Sequence, residues 1–150
     1  MKIISHNKKA YFDYEVYDSI EAGIVLNGGE VKSLRAGHVS LIGSFAVFHE
    51  GELFLLNANI TPYSHAYDKS DKEANRSRKL LLHRKELVRL VGQISQKGIT
   101  LVPLKIYLSD KGLIKVEIGL CKHKKAAGKK QALKERDIKR DTDRELKKYT

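Results

Sequence analysis

The side chains of this chain that have chemistry to offer are cations set among apolar and aromatic residues. Arg76, Arg78, Lys79, Arg84 and Lys85 fall within ten residues, around the run Leu80-Leu81-Leu82 and beside His83. On an extended backbone side chains alternate, so Arg78, Leu80 and Leu82 share one side and Lys79, Leu81 and His83 the other. One side then shows an apolar residue next to a lysine, which suits unstacked bases packing on the leucine while phosphates meet the cation. The alternative is that Leu80 to Leu82 are all core and the basic residues solvate its edge. A second group is Lys8-Lys9, after Asn7 and close to Tyr11, Phe12 and Tyr14. Basic residues interleaved with rings allow phosphate contact plus base stacking, although alternate aromatics also build barrel cores, which is the preferred reading of Tyr14. Lys32 and Arg35, three apart, would share one side of a short helix.

Catalytic chemistry finds less support. Asp13, Glu15, Asp18 and Glu21 lie close in sequence, but alternate acids on a strand read as a solvated face rather than an acid/base pair. The six histidines have no H-x-x-x-H spacing, and Cys121-x-His123 is too short a pair to define a zinc site. Gly28-Gly29 belongs to no phosphate-binding glycine pattern. The expectation is a binding protein with no catalytic residues, no metal and no cofactor, an enzyme such as a nuclease being the other class.

These residues need elements to hold them. Tyr11 to Tyr17 alternates and reads as a strand, and Ala22 to Leu26 as a second. Asn27-Gly28-Gly29 breaks the chain, and Val31 and Leu34 with Gly37 at a C′ position favour a short helix over Glu30 to Ala36. Ser44 to Phe48 and Glu52 to Leu56 form a hairpin around a three-residue loop, His49-Glu50-Gly51. Pro62 to Ser77 is polar and reads as a loop. Leu87, Leu90, Val91 and Ile94 give the clearest amphipathic helix, ended by Gly98, and Thr100 to Leu108 and Leu113 to Leu120 make a last hairpin. About six short strands interrupted by a helix suit a mainly β fold, a closed antiparallel oligonucleotide-binding barrel (OB-fold) with two to three small helices.

The charge is unevenly divided. The 150 residues carry 29 Lys plus Arg against 18 Asp plus Glu, a net +11. Residues 1 to 121 account for +4 and residues 122 to 150 for +7. The latter have only Leu133, Ile138, Leu146 and Tyr149 as sizeable apolar groups, without a stripe at helical period. The expected organisation is a barrel over 1 to 121 and a basic tail over 122 to 150, disordered when free and helical on a polyanionic partner. No stretch reaches the ~20 apolar residues of a membrane span, and the first six residues lack the apolar run of a signal peptide. One cysteine allows no internal disulfide. A cytoplasmic monomer with no membrane partner is expected.

Taken together, five ordered segments resemble the SsrA-binding protein (SmpB) family, the small partners of transfer-messenger RNA. They are Asn7-Lys8-Lys9-Ala10; Glu21-Ala22-Gly23-Ile24 with Gly29-Glu30-Val31-Lys32-Ser33-Leu34-Arg35; Arg78-Lys79-Leu80-Leu81-Leu82; Lys97 to Leu104; and Lys115 to Leu120. The resemblance implies an oligonucleotide-binding barrel on the tRNA-like domain of that RNA, entering bacterial ribosomes stalled on broken messages for trans-translation. It places RNA contacts at Asn7, Glu21 and Leu81, with Lys8, Lys9, Arg78 and Lys79 adjoining; the residue pattern itself adds Lys32, Arg35 and Arg76. An acid at Glu21 would repel phosphate, so its expected partner is a base amino group, a 2′-OH or a neighbouring lysine. The resemblance also implies that the tail lies in the vacant messenger channel of the small subunit, against rRNA, through Lys124, Lys125, Lys129, Lys130, Lys134 and Arg136. Phe12 stands where many relatives have a histidine thought to stack in the decoding centre. The stretch His123 to Lys130 departs from the family pattern, keeping its charge but not its Asp and ring. The alternative reading is a general single-stranded RNA barrel or a ribosomal protein.

Overall fold

A computed structural model describes residues 1–62, 74–94 and 98–124. Nine strands and three helices are defined among them. In chain order they are β1 (Lys2–His6), α1 (Lys8–Asp13), β2 (Tyr14–Ile24), α2 (Gly28–Arg35), β3 (Val39–Ser40), β4 (Phe45–His49), β5 (Glu52–Leu56), β6 (Asn59–Ile60), β7 (Arg78–Leu81), α3 (Arg84–Ile94), β8 (Thr100–Leu108) and β9 (Ile114–His123). Hydrogen bonding runs β8-β4-β5-β7-β2-β9 and returns from β9 to β8, closing an antiparallel ring of six strands. β1 adds to the free end of β8, and β3 pairs with β6 in a small separate ladder.

Alternation fills the ring. Ala22, Ile118 and Val116, Ile106, Leu53, Leu55 and Leu80 point inward, joined by Leu34 of α2 and by Leu90 and Ile94 of α3. A second, smaller core lies outside the ring, where Ala10 of α1 packs on Val102, Leu104 and Cys121 with Tyr14 and Val16 alongside. Gly119 sits beneath it: a Cβ there would lie 2.8 to 3.0 Å from the side-chain carbons of Leu104, which is buried and has nowhere to retreat. Gly119→Ala is therefore expected to lower stability by about 1–3 kcal/mol, read from a urea titration; an unchanged midpoint would mean that Leu104 has room to move.

The six strands are not the six expected from the pattern. The two early strands are one, β2, running eleven residues through a bulge between Val16 and Asp18. The missing strand is β7, made by the basic-leucine run itself. Residues 8 to 13, partly assigned to strand, are a helix turn: Asn7 caps it, its side-chain oxygen accepting from the Ala10 N–H at 3.3 Å, and helical winding lets Ala10 bury while Tyr11 and Phe12 stay outside. The hairpin loop is two residues, not three, because Glu50 and Gly51 have φ of 50° and 84° and His49 already pairs with Glu52. α2 forms as expected, with more signal than the apolar spacing alone: Asn27 and Glu30 make reciprocal caps of 2.8 and 3.0 Å, and Gly37 at φ 81° closes the helix. The barrel also outruns its expected boundary at residue 121, since Lys122 and His123 pair with Glu15 and Tyr14.

Candidate nucleic-acid interface

The register of β7, β2, β9 and β8 sets one outward face. Leu81 lies opposite Gly23, Gly23 opposite Lys115, and Lys115 opposite Tyr107; one step along, Glu21 lies opposite Glu117 and Glu117 opposite Lys105. Residues two apart on a strand share a face, so these side chains form two neighbouring rows on the outside of the barrel. Leu81 is half exposed on it, and Gly23 is what leaves it clear: a Cβ at Gly23 would lie 3.3 Å from the leucine's own Cβ.

Glu21 and Glu117 are like charges directly opposite one another, an unfavourable cross-strand pair unless each is satisfied. Both are satisfied from β8. The Tyr107 hydroxyl donates to Glu21 Oε2, and Lys105 Nζ lies 3.2 Å from Glu117 Oε2. Burial, the hydrogen bond to Glu21 and the charges of Glu21 and Glu117 all push the Tyr107 hydroxyl above the ordinary phenol range, so it remains a donor. A carboxylate has about four acceptor sites, so the exposed Glu21 keeps acceptor capacity toward solvent. The face thus offers an oriented acceptor, a clear apolar side chain and flanking lysines. It suits the donors of RNA, namely 2′-hydroxyls and base amino groups, together with an unstacked base. Tyr11 of α1 borders it: after burial, the charge of Glu117 raises its hydroxyl pKa and that of Lys105 opposes.

Glu21, Lys79 and Leu81 are therefore brought together on adjoining outer strands, with Lys79 3.0 Å from Glu52. Lys8 and Lys9 are exposed on α1, and Lys32 and Arg35 on the face of α2 turned from the core. Phe12 is 78% exposed. Three of the expected contact residues are turned into the protein. Asn7 is buried: its Nδ2 donates to the carbonyls of Leu41 (3.2 Å) and Pro103 (2.9 Å), so its side chain knits α1 to β8. Arg78 is wholly buried, donating to Glu30 Oε2 at 2.6 Å and to the carbonyls of Ala58 and Ala74 at 2.7 and 2.9 Å. Arg76 is turned onto the same carboxylate, Nε to Oε2 at 3.0 Å and Nη2 to Oε1. Arg78 is thus enclosed by its partners, whereas the Arg76 side chain stays 33% exposed beside Glu30.

Tyr107, Lys105, Glu117, Lys115 and Glu30 are the residues that sequence reasoning missed. The register of the final hairpin against Glu21 would have found the first four. Cys121, buried in the outer core, has its thiol pushed up to about 12 by burial; among the described residues no group of three or more His, Cys, Asp or Glu could hold a metal ion. No helix of the described residues is long and apolar enough to cross a membrane. Lys124 is exposed at the end of β9, its N–H donating to the Asp13 carbonyl at 3.0 Å. Lys125, Lys129, Lys130, Lys134 and Arg136 lie outside the described residues.

The model of the SmpB protein family matches residues 4–148 of the chain. The chain belongs to the SmpB family. It is 49% identical over 146 residues to the SsrA-binding protein of Pelobacter propionicus, covering 97% of this chain and 95% of that one. Against the SsrA-binding protein of Chlorobaculum tepidum identity is 48% over 143 residues, covering 95% and 90%. A chain of the solved structure described as "tmRNA-SmpB: a journey to the center of the bacterial ribosome" superposes with a TM-score of 0.68 at 49% identity, over 95% of both chains. The six-stranded ring is thus the fold of an SmpB-family chain.

Proposed function

We propose that this SmpB-family chain binds the tRNA-like domain of transfer-messenger RNA and delivers it to stalled ribosomes for trans-translation, acting as an adaptor and not as a catalyst. The observation that carries the reading is the outer face of β7, β2 and β9, where Glu21 is held as an acceptor by Tyr107 and Leu81 is left clear by Gly23. That pairing reads a folded RNA surface by its 2′-hydroxyls and an unstacked base, with Lys79 and Lys115 on the same outer face to meet phosphates and Lys8 and Lys9 exposed on α1. The likeness to SsrA-binding proteins and to a chain of a tmRNA-SmpB ribosome structure supports it. In this reading the basic C-terminal segment enters the vacant messenger channel and meets rRNA phosphates, and Phe12 faces the decoding region from α1.

The test is a titration of the full chain with a transcript of the tRNA-like domain and with an unstructured RNA of equal length. The expected result is tighter binding of the tRNA-like transcript that persists as salt is raised, because the non-specific phosphate component falls steeply with ionic strength. Equal affinity for both RNAs at every salt concentration would favour a general single-strand binder.

A further inference from the structure

We propose that Tyr17, with Lys122 beneath its ring, is a stacking platform for one unpaired RNA base at the root of the C-terminal segment. This rests on the chain being an RNA-binding adaptor, but it concerns a different face from the one described above. Tyr17 is the residue left over by the bulge in β2, since Val16 pairs with Cys121 and Asp18 with Leu120. Bulges re-aim a side chain out of the ladder, and the ring so released is 59% exposed.

It is nevertheless held. Its hydroxyl donates to Glu15 Oε2 at 2.8 Å, and Lys122 Nζ sits 5.1 Å from the ring centroid. Glu15 and Lys122 are register partners, and Lys122 has the same parity as Val116, Ile118 and Leu120, which point into the core. Tyr17, Glu15 and Lys122 therefore continue the barrel's inner face beyond its packed end, whereas Glu21 and Gly23 lie on the outer one. A ring with a cation on one face and the other open is the arrangement that takes a base by stacking, the lysine meeting the adjoining phosphate. Lys122 stands three residues before the basic stretch 125 to 150 in sequence, so the RNA proposed for the ring is the RNA proposed for that stretch. In the proposed function this is the small ribosomal subunit and not the tRNA-like domain.

The experiment compares wild type, Tyr17→Ala and Tyr17→Phe as full chains, each titrated with purified small ribosomal subunits and separately with the tRNA-like transcript, and each melted. Expected for Tyr17→Ala is a loss of roughly fivefold to a hundredfold in affinity for the subunits, with transcript affinity and melting temperature unchanged and Tyr17→Phe close to wild type. Unchanged subunit affinity would overturn the proposal. So would an equal loss on the transcript, a fall in melting temperature, or failure of the phenylalanine variant, because each assigns Tyr17 another role. If wild type itself failed to bind the transcript, the adaptor function would be at fault and not the platform.

Discussion

Replacing Glu30 by alanine is expected to lower the stability of the fold by about 3–5 kcal/mol, the range for breaking one side of a buried ion pair. Glu30 is a buried junction: its carboxylate takes Arg78 and Arg76 from β7 and the segment before it, and also the Asn27 N–H at the start of α2. Burial raises its pKa, but the hydrogen bonds from Arg76, Asn27 and Arg78 outweigh it, and the net pKa is lowered. A carboxyl whose folded pKa is below its unfolded value contributes stability that is present above the ordinary glutamate range, ~4.3. That contribution is lost as pH falls below it toward the folded value. Urea titrations from pH 7 down to 3 should thus show a steeper acid loss for wild type than for Glu30→Ala. A double variant, Glu30→Ala with Arg78→Met, should be less damaged than Glu30→Ala alone, because it no longer buries the guanidinium. A single Glu30→Ala cost under about 1 kcal/mol would show that the junction does not hold α2 to β7.

Deleting residues 125 to 150 is expected to leave affinity for the tRNA-like transcript within about twofold and to abolish tagging of stalled peptides in a reconstituted translation system. The segment removed carries ten Lys or Arg against five acids, a charge that in the proposed function meets rRNA phosphates, while the Glu21–Leu81 face lies wholly within the strands. The cut belongs after Lys124, because β9 runs to His123 and the Lys124 N–H is bonded to Asp13. A cut at 121 would also remove the Tyr14–His123 ring contact, at 4.4 Å between centroids, and would confuse a folding defect with a functional one. Equal loss of binding and tagging would contradict the division of work between barrel and tail.

Much of this fold could be read from the chain because its strands alternate and its turns carry Gly at left-handed positions. The hairpins at 45–56 and 100–123, α2 and α3 are of that kind. What resisted was determined by tertiary partners. Nothing local shows that β2 passes through a bulge without ending, since the bulge exists only against β9. α1 follows from an outer core that forms only when Ala10 meets Val102, Leu104 and Cys121. The site divides in the same way. Leu81 is exposed because its neighbours Arg78 and Leu80 have the opposite parity and bury, which alternation already implies for an extended segment. That same alternation puts Arg78 inside, yet a buried arginine is intelligible only once Glu30, 48 residues away, is seen to meet it. Asn7 is recognisable as a special position, but that its side chain caps α1 and ties down two carbonyls shows only in the fold.

The central claim is that the outer face of β7, β2 and β9 holds the tRNA-like RNA, and it is tested most directly by titrating Leu81→Ala and Glu21→Ala with the tRNA-like transcript while following their melting. Leu81 is half exposed, so Leu81→Ala should melt within about 2 °C of wild type, as surface substitutions do. Glu21→Ala leaves the buried Tyr107 hydroxyl without its acceptor and should stay folded but melt lower, losing the about 1–3 kcal/mol that an unsatisfied buried donor costs. Each should bind the transcript at least tenfold more weakly, as expected for loss of a stacking contact or of a charged acceptor. Wild-type affinity in both variants, or weakening accompanied by a cooperative loss of fold, would contradict the account.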